Sequence, residues 1–181
     1  MGTFDLVVGG IYARIRKTKA LLGSYPNFNK INEKLWVGGI NNPKLLADQN
    51  FNLVIDLREI KDSDYQNFLR NQGVEYVSFE IPDRYGAPPH VLAKIVEIID
   101  EKVSQNKKVL VHCNLGRGRS ALIVAAYLVS RGMTSEEALK TVKRGRSVTY
   151  LNRRQMQALI EFAEWFQQHP TKTKHEKTPV V

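Results

Sequence analysis

"KVLVHCNLGRGRSALIVAAYLVSRG" runs from Lys108 to Gly132 and decides how the rest of the chain is read. It opens on a short apolar run, Val109 to Val111, which reads as a buried strand. It closes on Arg119 to Gly132, an apolar stretch ended by glycine, which reads as a buried helix. Between them lie His112, Cys113 and a loop containing Gly116 and Gly118. A loop feeding a helix N-terminus turns backbone N–H groups into one concavity, and such a nest binds a tetrahedral oxyanion. Cys113 is the only cysteine in the chain. At the loop's start it meets the positive end of the helix dipole, which favours the nucleophilic thiolate. Arg119 returns to the far side of the anion, where its planar fork holds two phosphate oxygens. Ser120 sets a hydroxyl beside the sulfur, placed to ease its departure in a second step. The expected phosphate-binding loop is Asn114, Leu115, Gly116, Arg117, Gly118 and Arg119.

Outward from this stretch, strand and helix signals alternate. "KLWVGG", "FNLVIDL" and "VEYVSFEI" read as strands. "DYQNFLRNQG" reads as a short helix closed by Gly73, and "PPHVLAKIVEIIDEKVSQNKK" as a longer one with prolines in its first turn. Thr134 and Glu137 form a capping box for a further helix that ends near Gly145. Asn152 and Gln155 cap a last amphipathic helix reaching about His169. The pattern predicts an α/β fold: a central, mostly parallel sheet flanked by helices. Residues 31–169 make the catalytic domain and the polar stretch 170–181 a disordered tail. Residues 1–30 read as a basic extension. Phe4, Val7, Val8, Ile11 and Ile15 fall at helical spacing there, although Gly9-Gly10 weakens the helix. Two readings of it stand: a helix packed on the domain, or a basic amphipathic segment on a membrane.

Composition narrows the function. A 181-residue chain with 43% hydrophobic residues supports one domain with a real core. The formal net charge of +9 favours anionic partners. No zinc-finger spacing or interleaved basic–aromatic motif is present, so no nucleic acid is expected. A lone cysteine and four unclustered histidines predict neither disulfide nor metal, and no cofactor. A free thiol suits the cytoplasm or another reducing intracellular compartment.

His112-Cys113-x5-Arg119-Ser120 resembles the signature of the cysteine-dependent protein tyrosine phosphatases, in particular the small dual-specificity group. The resemblance covers Ile31 to Gln168. Low-molecular-weight phosphatases and arsenate reductases carry Cys-x5-Arg close to the N-terminus, unlike this chain. Rhodanese-like domains would lack the acid described next. The resemblance implies a general acid on a loop some thirty residues before the cysteine. "EIPDRYGAPP" puts Asp83 there. Asp83 would protonate the leaving oxygen and then activate water against the phosphocysteine. Asp56 is a rival, with a structural role preferred because it ends a buried strand. The family pattern assigns His112 to orienting the loop. Gln155 sits where some members hold the attacking water, and helix capping is the competing role. No Lys-Asn-Arg-Tyr element of the tyrosine-specific enzymes is present, which implies a shallow site for phosphotyrosine and for phosphoserine or phosphothreonine.

A second similarity, in "NFNKINEKLWVGGI", "HCNLGRGRSALIVAAYL" and "RSVTYLNRRQMQAL", is to the mitochondrial phosphatidylglycerophosphate phosphatase branch. Lipid-directed members often carry lysine after the cysteine, where this chain has Asn114; Arg117 is the substitute charge. The expectation is therefore a dual-specificity protein phosphatase. A phosphatidylglycerophosphate or phosphoinositide phosphatase, with membrane contact through residues 1–30, is the alternative. A catalytically dead phospho-binding module is the third reading.

Overall fold

The computed structural model describes residues 3–60 and 62–169. The tail expected from residue 170 lies outside them. Five strands form one sheet: β1 (Phe28–Lys30), β2 (Leu35–Gly38), β3 (Leu53–Asp56), β4 (Glu75–Ser78) and β5 (Val109–His112), in spatial order β1-β2-β5-β3-β4. Only β1 runs antiparallel, against β2. The other four are mutually parallel, as the alternation of strands and helices predicts. β1 is part of the sheet, so the folded domain begins ahead of the expected boundary at Ile31.

Seven helices flank this sheet: α1 (Thr3–Leu21), α2 (Pro43–Ala47), α3 (Ser63–Asn71), α4 (Pro89–Ser104), α5 (Arg119–Ser130), α6 (Ser135–Gly145) and α7 (Arg153–Gln168). α5 is buried from Arg119 to Val129 because it lies against the sheet and is enclosed by α4, α6 and α7. That enclosure explains why its sequence shows no polar face. The expected capping box of Thr134 with Glu137 forms, and Asn152 and Gln155, expected to cap the last helix, form a second box there. The short α2 has no counterpart in the sequence reading. Its signals are only Pro43 at its first turn and an Asn42 cap.

Parallel register is what builds the site. Gly38, His112, Asp56 and Ser78 stand in one row across β2, β5, β3 and β4. The residues after them, Gly39, Cys113, Leu57 and Phe79, therefore leave the sheet along one edge, the carboxyl edge where α/β proteins bind ligands. The Gly38-Gly39 pair that ends β2 is needed for close approach. A Cβ on Gly39 would collide with the Asn114 carbonyl and with Leu115, and one on Gly116 would collide with Gly38 and Gly39. Gly116 also adopts φ +70°, which favours glycine.

Candidate active site

Cys113 is buried at the end of β5. Its sulfur accepts the Gly116 N–H at 3.3 Å and lies 3.5 Å from Ser120 Oγ. The Ser120 hydroxyl also lies 2.9 Å from the Gly38 carbonyl, to which it donates. With one hydrogen to give, it divides between the Gly38 carbonyl and the Cys113 sulfur. No side chain caps α5 at Gly118. The orphan N–H groups of its first turn are thus left for an anion.

Arg119 is the first residue of α5 and 5% exposed. Its Nη1 donates to the Leu57 carbonyl at 3.2 Å and to the Ile81 carbonyl at 2.9 Å. Its Nη2 pairs with Asp83 Oδ1 at 2.9 Å. Asp83 is 68% exposed at its side chain. The loop carrying it is tied down from three sides. Its own N–H donates to Glu59 Oε2, Asn152 Nδ2 donates to the Arg84 carbonyl at 2.8 Å, and Gln155 Nε2 donates to the Tyr85 carbonyl at 3.3 Å. Arg84 itself sits at φ +64°, a left-handed conformation that costs about 1–3 kcal/mol and needs such tethers.

Gln155 serves at two places. It caps α7, and its side chain abuts Gly118, where a Cβ would meet Oε1 at 2.6 Å. It therefore lines the cleft as well as closing the helix. Asp56 is structural, as preferred. It is buried and accepts hydrogen bonds from Arg58 and from the Tyr76 hydroxyl at 2.6 Å. Burial works to raise its carboxyl, but His112, Arg58 and Tyr76 outweigh it and hold it below its ordinary value. His112 is completely buried, which pulls the imidazole down despite the Asp56 charge. The ring is neutral at pH 7, so its 3.8 Å approach to Asp56 is not an ion pair. Its Nδ1 lies 3.3 Å from the Cys113 carbonyl, which ties the ring to the first residue of the loop.

Sequence reasoning missed Arg146. It follows α6 and is fully buried. Nε donates to the Gly116 carbonyl at 2.6 Å and Nη2 to the Leu115 carbonyl at 3.0 Å. Nη2 and Nη1 also donate to Asn27 Oδ1 at 2.7 Å and Asn29 Oδ1 at 2.9 Å. These acceptors are all uncharged. Burial and the nearby Arg16 pull Arg146 down to about 9, which leaves it cationic at neutral pH. It clamps the catalytic loop from behind. An arginine just after a helix reads locally as a surface cation complementing the dipole, so nothing in its neighbourhood reveals this role.

The N-terminal extension forms one wall. α1 runs unbroken through Gly9-Gly10, contrary to the weakening expected there. The glycines make room for Arg117, whose Nη1 a Cβ on Gly10 would meet at 2.9 Å. Arg117 Nη2 donates to the Leu6 carbonyl and Nε to the Val148 carbonyl. The cleft between α1, the catalytic loop and the Asp83 loop measures about 710 Å³, with Arg14, Lys17 and Thr18 on its α1 side.

Sheet order, edge loop and buried α5 together define the tyrosine-phosphatase type of fold. Comparison with known proteins narrows it. The family profile "Dual specificity phosphatase, catalytic domain" matches residues 36–165. The chain is 30% identical over 138 residues to "Putative tyrosine phosphatase 123R" of Invertebrate iridescent virus 6, covering 75% of this chain and 92% of that one. It is 32% identical over 138 residues to "Phosphatidylglycerophosphatase and protein-tyrosine phosphatase 1" of Homo sapiens, covering 71% of this chain and 67% of that one. The crystal structure of Tk-PTP in its active form superposes with a TM-score of 0.71 at 31% identity, over 77% of this chain and 98% of that one. The chain belongs to the dual-specificity phosphatase family.

Proposed function

We propose that this phosphatase cleaves phosphomonoesters through a phosphocysteine and that its substrate is a phospholipid headgroup. The Cys113 thiolate attacks phosphorus and forms the S–P bond as the P–O bond to the leaving group breaks. Asp83 gives its proton to the departing oxygen. Arg119 holds two equatorial oxygens, releasing Asp83 from its ion pair as the phosphate enters, and the freed carboxylate takes up from the phosphate monoanion or from water the proton that it then donates. In the second step Asp83, now a carboxylate, takes a proton from water, which attacks phosphorus and frees the Cys113 thiolate. Inorganic phosphate leaves, and Ser120 supplies a hydrogen bond to the departing sulfur.

The observation that carries the lipid reading is α1. Val7, Ile11 and Ile15 are 56%, 53% and 47% exposed on the helix that walls the cleft, an apolar stripe beside basic residues that suits a lipid surface. No helix among the described residues is long and apolar enough to cross a membrane, so the contact proposed is peripheral. A phosphotyrosine protein is the second reading. Asn114 in place of lysine favours it, and the name of the human relative carries both activities.

Phosphate release by the wild type and Cys113→Ser, on phosphatidylglycerophosphate vesicles and on phosphotyrosine peptide, tests this. Turnover that requires Cys113 and prefers vesicles supports the proposal. A preference for peptide replaces the lipid by a protein substrate. Equal residual turnover in Cys113→Ser refutes the covalent step.

A further inference from the structure

Four cationic side chains line the catalytic cleft besides Arg119: Arg14, Lys17, Arg84 and Arg117. Among the described residues, the only carboxylate lining it is Asp83, already paired with Arg119. The hydrolysis described above uses none of the four. Arg117 is the least expected of them. It belongs to the catalytic loop, yet its guanidinium is turned onto α1, held by the Leu6 and Val148 carbonyls and lying over the Tyr150 ring. Burial and the charge of Arg14 both press its proton affinity down. Two guanidinium groups are thus held near one another, Arg117 Nη1 and Arg14 Nη1 standing 2.9 and 3.6 Å from the position a Cβ on Gly10 would take, an arrangement that an anionic ligand relieves.

The wall that carries Arg14 and Lys17 is built firmly. Ala13 and Ala20 are buried beneath it, and Arg16 donates to Asn29 Oδ1 and to the Pro26 and Phe28 carbonyls. At 100° per residue, the order around α1 from its packed side is Lys17, Arg14, then Val7, Ile11 and Ile15. Passing outward from Cys113, a ligand meets the phosphate loop, then cations, then exposed apolar side chains.

We infer that Arg14 and Lys17, together with Arg117, form a second anion subsite that binds the phosphodiester of the same lipid whose monoester enters the Cys113 loop. The inference rests on the proposed phosphatase reading and names the substrate chemistry that reading leaves open: a headgroup with a monoester and a diester, its acyl chains directed to the Val7–Ile11–Ile15 stripe.

The test uses the full chain and two soluble substrates. One is short-chain phosphatidylglycerophosphate below its micellar concentration, and the other is glycerol phosphate, which has the monoester alone. The readout is the ratio of their kcat/KM values. Losing two charge-assisted contacts in Arg14→Ala/Lys17→Ala should lower that ratio by about tenfold or more, mostly through KM. Arg14→Lys, which keeps the charge, should retain most of it. A parallel arm measures binding of the same short-chain lipid to Cys113→Ser, with and without the two alanine substitutions.

A lower ratio with weaker lipid binding supports the subsite. An unchanged ratio, or equal loss on both substrates, overturns it while leaving the phosphatase intact. A wild type inactive on both substrates refutes the lipid-phosphatase reading; the binding arm then decides the subsite by itself, and unchanged lipid affinity overturns it. A doubly phosphorylated peptide is assayed as a third substrate, and discrimination that moves only for that peptide overturns the lipid assignment.

Discussion

Replacing Arg146 by methionine removes the clamp behind the catalytic loop while keeping a long apolar stem. Arg146 makes four hydrogen bonds, to the carbonyls of Gly116 and Leu115 and to the side chains of Asn27 and Asn29. Bonds from a charged donor contribute about 1.5–3 kcal/mol each. Against this stands the desolvation of a fully buried cation with no carboxylate partner, several kcal/mol on the general scale. Methionine removes that penalty but strands three acceptors, since Asn29 Oδ1 keeps its bond from Arg16; each costs about 1–3 kcal/mol unless water reaches it. The net loss expected is about 4 kcal/mol, of the size seen when one partner of a buried polar cluster is deleted. For a chain of this length it lowers Tm by about 8–16 °C.

Activity should fall further than global stability implies. Two of the four bonds hold loop carbonyls, and releasing about 1.5 kcal/mol of positioning at each slows phosphoryl transfer about a hundredfold. Arg146→Lys keeps the charge but cannot span four acceptors from one nitrogen, so it should recover only part of the loss. The assay is kcat/KM on an aryl phosphate at a temperature well below the variant's Tm, beside calorimetry. A methionine variant within threefold of wild type in kcat/KM, with Tm unchanged, would refute the clamp.

Asp83→Asn should slow turnover about a hundredfold or more with a poor leaving group such as phenol, and much less with p-nitrophenol; equal loss on both would move the acid elsewhere. Gly39→Ala drives a Cβ into the Asn114 carbonyl and Leu115, and should cost about 1–3 kcal/mol in urea unfolding; a wild-type midpoint would show that the loop yields. Stability should fall on acidification. His112 is held below its ordinary value, so the unfolded chain takes up its proton first as pH drops below about 6.5. Asp56, also held low, adds a loss below about pH 4, in the same direction. Unfolding free energies at pH 7, 5.5 and 4 measure both effects, and a flat profile contradicts the buried Asp56–His112 arrangement.

Much of this was written locally. Branched apolar runs mark β3 and β5, and two capping boxes mark the starts of α6 and α7, because helix and strand signals depend on neighbours a few residues away. The strand–loop–helix around Cys113 is legible for the same reason, and parallel register across the sheet then carries the Asp83 loop to its edge. The tertiary structure alone decided what stands around that loop. Arg117 meets Leu6 across 111 positions, and Arg146 meets Asn27 across 119. No periodicity spans such distances. Gly9-Gly10 illustrates the limit: helix propensity counts the pair as a weakness, whereas packing uses the missing side chains to admit Arg117. A partner absent from the local sequence cannot be weighed there, so the sequence left open whether the extension packs on the domain or rests on a membrane, and the structure makes it a wall of the cleft.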